Sequence, residues 1–230
     1  EKIVIIDLHK KYPGRVQSPC VDATNITKLK LVVQPGHTGP LVIKNIQCIG
    51  RLKDFKQQDI IKLSKVTQGD PKAGQRVLHQ LPQCKNTSLK HVIGLPENWK
   101  KGGSYPILVD YPGNVFYHKY CHSSGRAQDS AHGASIAAET DFILLQLPFV
   151  HHDNTTEATN GWGDPDATIA YAKVALEDTI AHYGGRADFI LFSGFSRGAY
   201  AADYIALRTD RIATLWKGFI LSAGHPKSIG

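Results

Sequence analysis

A chain of 230 residues, 42% hydrophobic and 20% charged, is long enough to bury its own core and too apolar to be disordered. Its 27 basic and 20 acidic residues give a formal charge of +7, but the lysines are scattered in short pairs such as Lys10-Lys11 and Lys100-Lys101 without interleaved aromatics, which argues against nucleic acid as a partner. The longest apolar runs, Phe142 to Leu147 and Phe189 to Phe192, are strand-sized, far short of the roughly 18 to 20 residues a membrane-spanning helix requires.

In chain order, residues 1-87 read as a β-rich N-terminal module: short β-branched runs at Ile3 to Leu8, Leu29 to Gln34 and Leu41 to Ile46, the last two joined as a hairpin by Gly36-His37-Thr38-Gly39-Pro40. From residue 88 the pattern becomes apolar runs alternating with helix signals, which predicts βαβ units and a mainly parallel sheet over 88-230. Strands are expected at Lys90 to Leu95, Pro106 to Asp110, Phe142 to Leu147, Asp188 to Ser193 and Gly218 to Ser222. Asp166 to Tyr183 predicts a helix with Ile169, Ala172, Leu176 and Ile180 on its apolar face and Gly184-Gly185 as its stop, and Ala199 to Leu207 predicts a second.

The chain lacks methionine altogether, which reads as a processed or trimmed product. Asn25, Asn86 and Asn154 each open an Asn-x-Ser/Thr sequon, and Cys20, Cys48, Cys84 and Cys121 show no metal-ligand spacing. Together these fit a secreted glycoprotein with disulfides. Of the three possible pairings, Cys20 with Cys48 and Cys84 with Cys121 close the shorter loops.

Gly194-Phe195-Ser196-Arg197-Gly198 fits G-x-S-x-G, the pattern of a serine on a sharp strand-to-helix turn, and it lies between the apolar run Phe189 to Phe192 and the small-residue segment Ala199 to Leu207. Glycines two before and two after the serine are needed because the turn brings those positions against neighbouring backbone. With the strand Pro106 to Asp110 entering Tyr111-Pro112-Gly113-Asn114, residues 88-230 resemble the α/β-hydrolase superfamily, in pattern secreted esterases of the depolymerase and feruloyl-esterase kind.

The resemblance implies an α/β-hydrolase-like sheet and a serine ester hydrolase acting through an acyl-enzyme on Ser196, with no metal and no organic cofactor, on a small-molecule or polymeric ester. It makes the amides of Arg197 and of Gly113 or Asn114 the oxyanion donors, the Arg197 side chain itself reading as a surface charge. In such enzymes an acid and then a histidine base follow later strands, which the 34 residues after Ser196 do not contain, leaving His225 as the in-chain base. Phe219 to Leu221 would then form an apolar edge to be covered by a further segment or a second chain. The alternative is a catalytically silent hydrolase-like glycoprotein. His151-His152-Asp153 reads as an exposed polar loop, a pocket lining or a metal site, and Trp162 as a substrate platform or a loop anchor.

Overall fold

The computed structural model describes residues 5-7, 30-32, 63-117, 122-138 and 140-223. The chain forms two compact units, Glu1–Ile61 and Lys62–Gly230. In the first, β1 (Ile5–Asp7) pairs antiparallel with β2 (Lys30–Val32), Ile5 opposite Val32, inside the runs expected there. The expected hairpin around Gly36 to Pro40 lies outside the described residues.

The second unit is built on a seven-stranded sheet among the described residues, in the order β11-β10-β6-β9-β5-β4-β3. These strands are β3 (Val66–Gln68), β4 (Arg76–His79), β5 (His91–Gly94), β6 (Tyr105–Tyr111), β9 (Ile143–Gln146), β10 (Gly185–Phe195) and β11 (Gly218–Ser222). The strands β9, β6, β10 and β11 run parallel, while β5 runs antiparallel to both its neighbours. Both β3 and β4 fall before residue 88 yet hydrogen-bond into this sheet, and the larger unit runs from Lys62. Short β-branched strands read alike whether they form a separate module or extend a sheet edge. A small ribbon, β7 (Phe116–Tyr117) with β8 (His122–Ser123), stands apart from the sheet.

Helices cover both faces, as parallel strands without a solvent face require. On one side α2 (Pro165–Tyr183) packs on a cluster including Val109, Tyr111, Leu145 and Phe192. It starts where the Asp164 carboxylate accepts from the amides of Asp166 and Ala167, and it stops at Gly184, whose φ of 77° suits glycine. Of its expected face, Ala172 and Leu176 are buried, while Ile169 and Ile180 flank a centre formed by Tyr171, Ala175 and Thr179. On the other side α1 (His132–Ala138) lies over Leu108 and Leu144. Its second residue, Gly133, permits the approach, since a Cβ there would strike the Asp110 side chain.

After β10, α3 (Arg197–Ala201) continues as a wider π turn over Ala202–Ala206, closed by the Leu207 amide bonding the Ala202 carbonyl. The sequence gives this segment one continuous helix. A short α4 (Asp210–Ala213), capped by Thr209, leads to β11. Among the described residues no helix is long and apolar enough to cross a membrane.

Candidate active site

Ser196 stands between the end of β10 and the start of α3 with φ 53° and ψ −114°, a conformation that costs a non-glycine residue of order 1 to 3 kcal/mol and persists only where its surroundings enforce it. The enforcement is visible at both glycines. A Cβ at Gly194 would overlap the Gly198 carbonyl, and one at Gly198 would overlap the carbonyl of Tyr111 at the end of β6. The Ser196 amide donates to the Ser222 carbonyl at 2.8 Å, fixing the turn to β11, and the Ser196 carbonyl accepts from Ala199 at 2.9 Å to start the helix. A mostly parallel sheet with helices on both faces and a serine on this strand-to-helix turn is consistent with part of an α/β-hydrolase fold.

No family model matches the chain, and no curated protein does. Solved structures do match. Juvenile hormone esterase from Manduca sexta is 22% identical over 59% of this chain and 25% of its own, with a TM-score of 0.39. A carboxylesterase from Geobacillus stearothermophilus is 23% identical over 60% of this chain and 29% of its own, with a TM-score of 0.42. An acetyl xylan esterase from Aspergillus awamori is 17% identical over 56% of this chain and 46% of its own, with a TM-score of 0.37. The matched part thus spans between a quarter and a half of those proteins.

The loop Pro112 to Asn114 leaves β6 directly beside the serine. A Cβ added to Gly113 would sit 3.2 Å from the Phe195 ring and 3.6 Å from the Ser196 Cβ, so the main chain passes the hydroxyl-bearing residue at contact distance. Among the described residues no acceptor takes the amides of Gly113, Asn114 or Arg197. The Asn114 side chain is occupied elsewhere, its Oδ1 accepting from the Gly161 amide at 3.0 Å.

The Arg197 side chain corrects the sequence expectation: it is not on the surface but 2% exposed. Its guanidinium donates to the carbonyls of Pro112, Gly113, Gly125, Ala158 and Gly161 at 2.6 to 3.4 Å and lies 4.2 Å over the Phe149 ring. Burial brings its pKa down to about 10, opposed by Glu157, so the cation persists at neutral pH. Because the Gly113 carbonyl is held by this side chain, the arginine fixes the orientation of the peptide on which the Asn114 amide sits. Glu157, pushed up to about 7 by burial against the opposing Ala127 amide and nearby arginines, closes the same loop cluster from the other side.

Trp162 is a loop anchor here: its indole stacks on Tyr204 at 4.4 Å and 12°, and its N–H reaches the Arg197 carbonyl at 3.4 Å. In the 151-153 loop, Asp153 is taken up by the turn it caps, accepting from the Thr155 and Thr156 amides and the Thr156 hydroxyl, which hold its carboxyl well below the usual range. Among the described residues no cluster of three or more metal-ligating side chains occurs.

Among the described residues no side chain hydrogen-bonds the Ser196 hydroxyl. His225 lies outside them, as do Asn25, Cys20, Cys48 and Cys121. Cys84, expected to pair with Cys121, carries a free thiol whose pKa burial raises. Asn86 and Asn154 are both exposed in turns.

Sequence reasoning missed a second polar constellation on the α1 side of the sheet. Asp110, fully buried at the end of β6, accepts from the Ser193 hydroxyl at 2.7 Å on one oxygen and from the Ser130 hydroxyl at 2.7 Å on the other. Gln146 reaches the second oxygen at 3.4 Å, donates to the Ser130 carbonyl, and accepts from Arg76 at 3.1 Å. His132, at the start of α1, places Nδ1 3.5 Å from the first carboxylate oxygen and Nε2 2.8 Å from the Ser222 hydroxyl. These partners lie 16 to 90 residues apart in the chain, so no local spacing announces them.

Proposed function

We propose that this protein is a serine hydrolase of carboxylic esters, acting through an acyl-enzyme on Ser196. The observation that carries the proposal is the strained serine on a strand-to-helix turn with the Gly113 main chain against it and unpaired amides on both sides. Acyl transfer places a full negative charge on one oxygen in its tetrahedral intermediate. Two fixed amides, from Arg197 and from Gly113 or Asn114, meet that charge, each contributing about 2.7 to 4 kcal/mol. A histidine base is then supplied from outside the described residues, with His225 as the in-chain candidate. The substrate is a small-molecule or polymeric ester, and the reaction needs neither a metal nor an organic cofactor.

The protein is further proposed to be secreted, with glycans on Asn25, Asn86 and Asn154. Exposure of the two described sequon asparagines supports this. The outer edge of β11, which has no partner strand among the described residues, is covered by a further segment or a second chain. The alternative is a catalytically silent binding or structural relative. It is favoured by a single observation, that the Ser196 hydroxyl has no hydrogen-bonded base among the described residues.

Hydrolysis of p-nitrophenyl esters of graded acyl length by the purified native protein, with a Ser196→Ala control, tests the proposal. Turnover lowered about 100-fold or more by the substitution supports it. A folded native protein without turnover, and without fluorophosphonate on the tryptic peptide Ala187 to Arg197, leaves the silent alternative.

A further inference from the structure

Ser222 ends β11 beside the turn: it is the register partner of Phe195, and its carbonyl holds the Ser196 amide. Its hydroxyl lies 2.8 Å from His132 Nε2, the distance of a good hydrogen bond, and the far side of the same ring faces Asp110 Oδ1 at 3.5 Å. That carboxylate is fully buried and held by the Ser193 and Ser130 hydroxyls and the Gln146 amide, so it cannot swing away from the histidine. A buried carboxylate facing Nδ1 selects the tautomer protonated there, which leaves the Nε2 lone pair to accept the Ser222 proton. Loose contact between acid and base is ordinary in an unliganded site and tightens when charge develops. The His132 side chain is 18% exposed and Ser222 is half-buried, so both are open to a small electrophile.

We infer that Ser222, His132 and Asp110 form a second nucleophilic site, in which Ser222 is the attacking group, His132 its general base and Asp110 the residue that positions the histidine. The substrate class is again a carboxylic ester, and the inference stands whether or not Ser196 is active. Ser222 Oγ bonds to the carbonyl carbon as its proton passes to His132 Nε2. The carbon–alkoxide bond then breaks, and the imidazolium returns that proton to the departing alcohol. Water, deprotonated by the same nitrogen, releases the acid and restores the serine. The arrangement runs Asp, His, Ser along the chain, and triads are recognised by geometry rather than by order. Among the described residues no glycine main chain packs against Ser222 as Gly113 packs against Ser196, so acylation here is slower by roughly 10²- to 10³-fold than at a serine with a working oxyanion hole.

A fluorophosphonate probe on the native protein and on Ser196→Ala, read by tryptic mass mapping, separates the sites, since Ser196 falls in the peptide Ala187 to Arg197 and Ser222 in Gly218 to Lys227. The expected result is slow labelling of Gly218 to Lys227 in folded Ser196→Ala. That labelling disappears in Ser196→Ala/Ser222→Ala and falls at least 100-fold in Ser196→Ala/His132→Gln. Absence of label from that peptide in folded Ser196→Ala overturns the inference, as does equal labelling with and without His132. Label on Ala187 to Arg197 alone in the native protein overturns it while sustaining Ser196. Label on Gly218 to Lys227 alone does the reverse. Circular dichroism of each variant establishes folding, and the single substitution Ser196→Ala decides the matter if the histidine variant fails to fold.

Discussion

Ser196 and Ser222 end two neighbouring parallel strands and are equipped in opposite ways. Ser196 has a strained turn, neighbouring amides without an acceptor among the described residues, and a loop main chain pressed against its Cβ. Ser222 has the side-chain apparatus, a histidine at 2.8 Å and behind it a buried carboxylate. In the proposed reading, activating a hydroxyl and stabilising the charge it creates are separable tasks, carried on adjacent strands. The α2 side of the sheet is built from packed apolar residues and main-chain contacts. The α1 side admits a polar network because a glycine lets the helix close on Asp110.

The comparison breaks most sharply at the serines themselves. Ser196→Ala is expected to lower kcat/KM for esters by roughly 10²- to 10³-fold, to the residual rate at Ser222, and Ser196→Ala/Ser222→Ala by about 10⁴-fold or more, in steady-state assays. Next is the buried arginine. Arg197→Met strands five carbonyls and is expected to cost about 3 to 5 kcal/mol in urea unfolding. It also lowers turnover at Ser196 further than unfolding alone explains, while fluorophosphonate labelling of Ser222 in the folded fraction is unchanged.

Gly198→Ala drives a methyl into the Tyr111 carbonyl and is expected to destabilise by roughly 3 kcal/mol in thermal unfolding. Glu157 sharpens the contrast through pH. The folded state holds its proton up to about pH 7, whereas an unfolded chain releases it near the ordinary 4.5. This contribution to stability is therefore full below pH 4.5 and lost as pH rises to 7, by at most about 3 kcal/mol, and Glu157→Gln abolishes that slope. The smallest effect is expected from Gly113→Ala. Its methyl meets the Phe195 ring at 3.2 Å, which gives, for this overpacking, about 1 kcal/mol of stability loss and roughly tenfold slower turnover at Ser196.

What could be read from the sequence follows the range of the interactions. The elbow was legible because Ser196 and both its glycines fall within five consecutive residues, although Gly198 makes room for the distant Tyr111 carbonyl, and the buried strands because continuous apolar runs such as Ile143 to Leu145 admit few other fates. The helix α1 escaped notice because His132-Gly133-Ala134-Ser135 carries no apolar stripe: its close fit rests on the absence of a side chain at Gly133. Arg197 reads as a surface charge since nothing nearby in sequence pairs with it. Its partners are carbonyls contributed by four separate stretches, and main-chain acceptors leave no mark on composition. His132, Asp110 and Ser222 were invisible for the same reason, being joined only by the folding of the sheet.

The Arg197 clamp grips main-chain carbonyls alone, so it is indifferent to the side chains on the loops it gathers. Ala158 and Gly161 contribute oxygens, and a Cβ at Gly161 would point into open space, although its φ of 64° strains any L residue there. Exposed positions on the clamped loop, such as Asn160, can therefore be rewritten in sequence while the clamp stays put. A library randomised at Thr159 and Asn160, with the buried Ala158 left in place, would vary the outer surface of that loop without first having to rediscover a fold.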